Sequence, residues 1–209
     1  MQRTYETLAD RAIGEGQRWI GIAGGPGAGK STVANAVAAT CLSRGVEAVV
    51  LPMDGFHYSR ARLKELDPPE AASLLPRRGA PPTFDAEGFV DALVAAKRRG
   101  AASLPAYSRA LSDPVPDAVC LEPSHRVVLV EGNYLFLGFL DDDDDDEMRR
   151  WRGLCPLFDD RWFVSPRGGV KEQRARLVRR HLETWSDAKT KRVVLLFRGI
   201  LTLPQGLGR

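Results

Sequence analysis

The chain has 209 residues, of which 44% are hydrophobic and 27% are charged. These values are typical of a globular protein with its own hydrophobic core, and they exclude global disorder, a collagen and a disulfide scaffold. The formal net charge of +3 is unevenly distributed: residues 1–140 are neutral overall, residues 141–147 carry seven acidic groups, and residues 148–209 carry a net charge of +10.

The compartment is indicated by what the sequence does not contain. No run of about 18 apolar residues is present, so we expect no transmembrane helix. The N-terminal segment has no apolar core typical of a signal peptide, and the three cysteines form no C-x-x-C pair. We therefore expect a cytosolic protein with no membrane partner.

Apolar periodicity predicts an alternation of helices and strands along the chain. Helices are predicted at 5–13, 31–43, 85–99 and 166–183, and strands at 19–23, 48–52, 104–107, 118–121, 127–130 and 161–164. Gly45 is predicted to follow the second helix as a C-cap glycine, and Asp85 is a predicted N-cap. Residues 54–82 are polar and rich in Pro and Arg, which indicates mostly loop with one short helix. The alternation favours a three-layer α/β fold with a mainly parallel sheet.

The segment GGPGAGKS at 24–31 matches the phosphate-loop pattern G-x-x-x-x-G-K-[ST] in full, between an apolar strand and an amphipathic helix. Glycines let backbone N–H groups approach phosphate oxygens, and the helix N-terminus adds partial positive charge. The predicted nucleotide-binding residues are Gly25, Gly27, Ala28, Gly29, Lys30, Ser31 and Thr32. Lys30 can reach the β- and γ-phosphates, and the Ser31 hydroxyl can bind Mg²⁺. The alternative is a glycine-rich turn with a chance lysine. A dinucleotide-binding G-x-G-x-x-G motif is excluded, because Lys30 occupies its last position.

Two carboxylates follow predicted strands, where ligands bind in parallel α/β sheets. Asp54 comes after the second strand and could accept a proton from a substrate hydroxyl or help to hold Mg²⁺. The alternative is a turn aspartate ahead of Gly55. Glu131 directly follows the strand at 127–130, in the place of a Walker B acid, and is a second candidate Mg²⁺ ligand. Its alternative is a helix-capping carboxylate.

Together these motifs resemble the phosphoribulokinase/uridine kinase family of P-loop kinases, and within it the uridine kinase-like proteins of bacteria and fungi. The similarity covers roughly residues 18–185, with the segments in the family's order. The matching segments are GGPGAGKST (24–32), MDGFHYSR (53–60), RRGAPPTFDAEGF (77–89), PAYSRALSDPVPDA (105–118), VVLVEGNYLFL (127–137) and RARLVRRHLETW (174–185). The resemblance implies a P-loop NTPase fold with a helical lid, which we expect at about 167–184.

The resemblance also implies roles for single residues. Asp54 is the implied catalytic base, with Lys30 as a catalytic cation. The acceptor site is implied for segments that contain His57, Arg77, Tyr107 and Arg109. The implied lid arginines are Arg174, Arg176 and Arg180, of which Arg176 and Arg180 are predicted to be catalytic. Clustered arginines repel one another unless an anion lies among them, which agrees with this role. The alternative is a solvated basic helix face.

Two segments depart from the family pattern. The acidic run at 141–147 is interpreted as a solvated insertion, and a regulatory or Mg²⁺-binding segment is the alternative. Residues 186–209 match nothing in the family. We nevertheless interpret residues 1–209 as a single kinase-like domain.

The sequence therefore predicts an ATP-dependent and Mg²⁺-dependent kinase that transfers the γ-phosphoryl group to a hydroxyl of a small metabolite, such as a nucleoside, a sugar or a related acid. The alternative is a nucleotide-binding regulatory or interaction protein without kinase turnover. Nucleic-acid binding through the basic last third ranks lower, because the lid interpretation already accounts for its arginines.

Overall fold

The computed structural model describes residues 2–66, 74–139 and 146–184. Within these residues the chain divides into two compact units. The first contains the residues up to Gly25 and those of Gly29–Val164. The second contains Pro26–Ala28 together with the described residues that follow Val164. The whole central sheet therefore belongs to the first unit.

Six strands are found in the described residues. In chain order they are β1 (Arg18–Ala23), β2 (Ala48–Pro52), β3 (Ala102–Ser108), β4 (Asp113–Leu121), β5 (Val127–Gly132) and β6 (Asp160–Phe163). Four of them form a parallel sheet in the order β2-β5-β1-β6, and β3 pairs with β4 in a separate antiparallel sheet. This arrangement confirms the predicted mainly parallel α/β fold.

Helices connect and cover these strands. In chain order they are α1 (Gln2–Ala12), α2 (Lys30–Ser43), α3 (Arg60–Leu66), α4 (Ala86–Arg99), α5 (Asp146–Arg149) and α6 (Gly169–Thr184). No described helix is both long enough and apolar enough to cross a lipid bilayer.

Both faces of the sheet are buried, which explains why β5 is a continuous apolar run. Val127 and Leu129 pack in a cluster with residues of α1 and α2. Val128 and Val130 point to the opposite face and pack in a cluster that includes residues of α4. Successive side chains of a strand alternate between faces, so one short strand contributes to two cores. The three-layer arrangement follows from this alternation.

Local capping signals are confirmed where the sequence predicts them. The Asp85 carboxylate accepts a hydrogen bond of 3.0 Å from the backbone N–H of Gly88, and Gly100 closes α4 at φ 69°. Gly45 adopts φ 73° directly after the C-cap of α2. These positions were predictable because a cap depends only on neighbouring residues and on glycine's tolerance of positive φ.

Three elements differ clearly from their predicted bounds. The predicted strands at 104–107 and 118–121 lie within longer strands, which in the described part of the chain pair only with each other. The helix predicted from residue 166 begins at Gly169, because Pro166–Gly168 form a turn in which the backbone N–H of Gly169 bonds to the Pro166 carbonyl at 2.9 Å.

Two predictions fall largely outside the described residues. Of the acidic run at 141–147, only the last two residues are described, and they belong to α5. The segment at 186–209 lies outside the described residues entirely.

Candidate active site

Three parallel strands deliver their carboxyl ends to one edge of the sheet. The register pairs Ala23 of β1 with Gly132 of β5, and Pro52 of β2 with Glu131 of β5. The phosphate loop follows β1, and Asp54 follows β2. Since ligands bind at this edge of parallel sheets, the fold brings the loop and the two predicted carboxylates to the expected place.

The phosphate loop adopts a backbone conformation that requires glycine. Gly24, Gly27 and Gly29 have φ of 153°, 80° and 102°, in the region that residues with a Cβ rarely adopt. Gly29 is the N-cap of α2, and its carbonyl accepts the first helical bond from the Val33 N–H at 3.0 Å. The N-terminus of α2 therefore opens directly from the loop, with no acidic residue in its first turn.

Lys30 is held by two oxygen atoms of the first unit. Its Nζ donates hydrogen bonds to the Asn133 side-chain oxygen at 2.6 Å and to the Gly25 carbonyl at 3.3 Å. Asn133 follows β5, two residues after Glu131. The sequence analysis assigned Asn133 no role. Its position directly after a strand that neighbours β1 could have indicated that it lies near the phosphate loop.

Ser31 and Glu131, the two residues predicted to bind Mg²⁺, are in direct contact. The Ser31 hydroxyl donates to the Glu131 carboxylate at 2.9 Å. Glu131 is buried, and this burial raises its pKa above the ordinary 4.5. The Ser31 hydrogen bond opposes that rise, the charge of Asp54 adds to it, and the positive charges of Lys30 and Arg109 oppose it. Four predicted site residues thus act electrostatically or by hydrogen bonding on this one carboxylate. Thr32, next to Ser31, is exposed in the first turn of α2.

Asp54 lies in a 3₁₀ turn, Met53–Phe56, and is exposed to solvent. Among the residues that the structure describes, its carboxylate has no hydrogen bond or ion pair. Its carbonyl accepts the His57 backbone N–H at 3.3 Å. Asp54 is therefore a turn residue, as one of the two interpretations held, and its side chain is also available to a substrate.

His57 lies in an aromatic environment. Its ring centroid is 3.9 Å from that of Phe84 and 5.0 Å from that of Tyr107. Burial lowers the pKa of His57, so the ring is neutral near pH 7. Nδ1 lies 2.8 Å from the Asp54 carbonyl oxygen and must donate to it. Nε2 is therefore left as an acceptor.

The structure separates the two adjacent arginines of the acceptor segment. Arg77, the predicted one, is exposed and makes no side-chain hydrogen bond or ion pair in the described part of the chain. Arg78 points inward and donates to the Tyr58 carbonyl at 3.0 Å, to Asp113 at 2.8 Å and to the Ser112 carbonyl. Its guanidinium carbon lies 5.4 Å from the centre of the Tyr107 ring. Two neighbouring arginines are indistinguishable in sequence, so the inward one could not be selected.

Arg109 is the residue directly after β3 and is exposed. Within the described residues its guanidinium makes no hydrogen bond or ion pair, although its charge acts on Glu131. Tyr107, on the same strand, contacts His57. Gly55 explains the closeness of these segments, because a Cβ there would lie 2.1 Å from the Pro105 carbonyl oxygen. The strand thus packs directly on the turn that carries Asp54.

The second unit contains the loop tip and the predicted lid helix. Gln173 of α6 donates to the Pro26 carbonyl at 3.0 Å, and a Cβ at Gly27 would lie 2.9 Å from the Gln173 carbonyl oxygen. Ala28 is buried. The predicted arginines differ in their surroundings: Arg174 is exposed, Arg176 forms an ion pair with Glu172, and the side chain of Arg180 lies outside the described residues. Their role at a phosphate stays a prediction.

Comparison with known proteins identifies relatives of this chain. No family profile matches the chain. A protein of Schizosaccharomyces pombe described as a "putative uridine kinase" is 38% identical over 187 residues, covering 86% of this chain and 74% of its own. An "ATP-dependent kinase-like protein" of Aspergillus versicolor is 38% identical over 137 residues, covering 62% of this chain and 71% of its own.

A solved structure shares the fold along almost the whole chain. It is that of a "putative fructose transport system kinase" from Silicibacter sp. TM1040, with a TM-score of 0.71 and 33% identity, covering 90% of this chain and 87% of the other. The chain belongs to the uridine kinase-like family of P-loop kinases, as its motifs predicted.

Proposed function

We propose that this protein is an ATP-dependent kinase that transfers the γ-phosphoryl group to a hydroxyl of a small metabolite. The observation that carries the proposal is the convergence on Glu131: Ser31 bonds to it, and the charges of Lys30, Asp54 and Arg109 all act on it. A phosphate-binding cation, a metal-binding pair and a free carboxylate are the groups that phosphoryl transfer needs in one place.

Phosphate binding would use the loop and Lys30. The backbone N–H groups of the glycine loop and the N-terminus of α2 favour anions. The Lys30 ammonium would donate to the β- and γ-phosphate oxygens while it keeps its hydrogen bond to Asn133. Its positive charge would then stabilise the negative charge that spreads over the transferring group.

Magnesium fits the oxygen donors at Ser31 and Glu131. Mg²⁺ prefers hard oxygen ligands and is usually held by one or two protein groups together with substrate phosphates. A hydroxyl and a carboxylate already 2.9 Å apart supply such a pair. When bound, the ion would neutralise charge on the phosphates. The described residues hold no cluster of three His, Cys, Asp or Glu side chains that could bind a metal without the nucleotide.

Asp54 would act as the general base. Its carboxylate is exposed and unpaired within the described residues, so it can receive the proton of an attacking hydroxyl. The transfer would break the bond between the γ-phosphorus and the bridging oxygen to ADP, and form a bond from the acceptor oxygen to that phosphorus.

The acceptor would bind beside His57 and Tyr107. The neutral His57 ring offers Nε2 as an acceptor for a second hydroxyl, and Arg109 offers a positive charge that has no ion-pair partner among the described residues. Arg77 is retained as a further candidate, because it is exposed in the neighbouring segment. We propose that Arg174, Arg176 and Arg180 supply positive charge to the phosphates during transfer, since a planar guanidinium can bind two phosphate oxygens at once.

The test is phosphate transfer from ATP to a panel of nucleosides, sugars, glycerate and pantothenate. With an acceptor identified, Asp54→Asn should lower kcat about 10²- to 10⁴-fold, because the proton loses its receiver. Nucleotide affinity should not fall. The control is Asp91→Asn, the same chemical change at an exposed position of α4, which should keep the wild-type rate.

Two outcomes would contradict this proposal. Equal kcat for wild type and Asp54→Asn would remove Asp54 from the role of base. Binding of ATP by calorimetry with no turnover of any acceptor would favour the alternative, a nucleotide-binding regulatory protein.

A further inference from the structure

We propose that Asn133 is a positioning residue for Lys30: it holds the lysine ammonium at the phosphate-binding edge through a neutral amide oxygen and adds no negative charge where a triphosphate would bind. This inference rests on the proposed nucleotide binding. Asn133 is not part of the phosphate-loop motif, and it acts through Lys30 rather than on the reacting atoms.

The contact is direct and short. Lys30 Nζ lies 2.6 Å from Asn133 Oδ1 and 3.3 Å from the Gly25 carbonyl. Both of these acceptors are neutral. A lysine side chain loses rotamer entropy when it is fixed. If the lysine is already fixed before ATP arrives, that cost does not have to be met when the nucleotide binds.

Asn133 can hold the lysine because its own backbone is anchored on both sides. Gly132 pairs with Ala23 of β1, and a Cβ at Gly132 would lie 2.6 Å from the Met53 Cβ, so the chain there packs closely on the turn that follows β2. The hydroxyl of Tyr134 donates to the Gly79 carbonyl at 2.6 Å. Asn133 lies between these two fixed residues and is half-buried.

The neutrality of Asn133 matters because this corner already contains two carboxylates. Glu131 is buried, and Asp54 is close enough for its charge to act on Glu131. A third carboxylate at residue 133 would form an ion pair with Lys30, which is stronger than a hydrogen bond to an amide. It would also repel the triphosphate. An amide oxygen gives the same reach and geometry without either effect.

The test compares Asn133→Asp and Asn133→Ala with wild type. The control is Asn35→Asp, which makes the same change at an exposed position of α2. The measured quantity is the Kd for a non-hydrolysable ATP analogue with Mg²⁺, by calorimetry at pH 8. Asn133→Ala should raise Kd about 5-fold, as expected for a lost hydrogen bond.

Asn133→Asp should raise Kd more, by about tenfold or beyond at pH 8, because the new charge competes with phosphate for Lys30. A larger loss in Asn133→Asp than in Asn133→Ala separates an effect of charge on Lys30 from the loss of one contact. Asn35→Asp should keep the wild-type Kd.

Each result decides a specific point. Equal Kd for Asn133→Asp and wild type at pH 8 would overturn the inference. A merely structural role would give equal losses for Ala and Asp, and this would overturn it too. If Asn133→Ala fails to fold, the comparison of the isosteric Asp variant with wild type and with Asn35→Asp still decides. A wild-type protein that binds no analogue would refute the proposed function itself, and this inference with it.

Discussion

At the scale of single residues, Glu131 is the point where the proposed metal binding and the stability of the fold conflict. In the proposed site its carboxylate would have to be ionised to hold Mg²⁺, yet burial favours the protonated form and raises its pKa. A raised pKa means that the stabilising contribution of the protonated group is complete below the unfolded value near 4.5 and is lost as pH rises through the folded value. At neutral pH the folded protein therefore bears the cost of a buried charge.

Replacing Glu131 by Gln tests this conflict. Glutamine keeps an oxygen that can accept from Ser31 and removes the charge, so we expect a higher Tm than wild type at pH 7.5. The difference should vanish near pH 4, where both side chains are neutral. Mg²⁺-dependent binding of the ATP analogue should weaken at least about 10-fold. Differential scanning calorimetry and titration calorimetry measure the two effects, and a lower Tm at pH 7.5 would contradict the assignment.

Sequence reasoning selected residues that belong to a local sequence pattern. It missed residues whose importance depends on contacts with residues far away in the sequence. Lys30 and Ser31 belong to one contiguous motif, and Glu131 ends an apolar strand. The partners of Asn133 and Arg78 are far away in sequence: Lys30 for the first, and Tyr58 and Asp113 for the second. No spacing rule connects such pairs, because the connection exists only after the sheet has formed.

At the scale of elements, the hairpin of β3 and β4 would form one wall of the proposed acceptor site. Arg78 ties three segments together, since it bonds to the loop at Tyr58, to Ser112 and to Asp113 at the start of β4. Its side chain is 13% exposed and that of Asp113 is 32% exposed. The Arg78 Nε is buried without a hydrogen-bond partner. The fork of this arginine therefore orders the hairpin that presents Tyr107 and Arg109.

Removing that fork should loosen the hairpin. Arg78→Met keeps the apolar stem and removes the charged hydrogen bonds, so we expect a loss of about 2 kcal/mol in the free energy of unfolding. The control is Arg62→Met, which breaks an ion pair with Glu65 whose partners are 53% and 65% exposed. That pair should contribute less than about 0.5 kcal/mol.

Urea unfolding of both variants provides the comparison, and a known acceptor would add a second measurement. Its KM should rise in Arg78→Met because Tyr107 and Arg109 lose their fixed position. Equal stability losses in the two variants would show that Arg78 does not order the hairpin.

The elements also show where sequence patterns fail. Strands β1, β2 and β5 agree with prediction within two residues, because short apolar runs of β-formers identify buried strands. The hairpin was underestimated because Pro105, Pro114 and Pro116 interrupt it. Proline cannot donate to a neighbouring strand, and the pairing shifts register between Leu104 and Ala106, around Pro105. Prolines in strands thus concealed the true length of β3 and β4.

At the scale of the whole molecule, the order of the strands could not be obtained from the sequence. The alternation of helices and strands predicts a parallel sheet with two covered faces. It does not indicate that β5 lies between β1 and β2. That placement brings Glu131 next to both the phosphate loop and Asp54, so the site depends on strand order as much as on its residues.

A nucleotide that binds the folded chain must stabilise it as a whole. At an ATP-analogue concentration of 100 times Kd, with Mg²⁺, the gain should be about 2.7 kcal/mol. For a chain of this size that corresponds to a rise of about 5–10 °C in Tm. Lys30→Ala should abolish most of the rise, and omission of Mg²⁺ should reduce it. A wild-type Tm that does not respond to the analogue would exclude specific nucleotide binding.

The position of β5 also has a consequence for the order in which the protein is made. During synthesis, β1 and β2 leave the ribosome long before their common neighbour, and neither can complete its hydrogen bonding in the sheet until β5 has emerged. The phosphate loop and the Asp54 turn should therefore stay unformed on nascent chains that end before Val127. Such chains present unpaired apolar strands, which is when chaperone binding should be strongest.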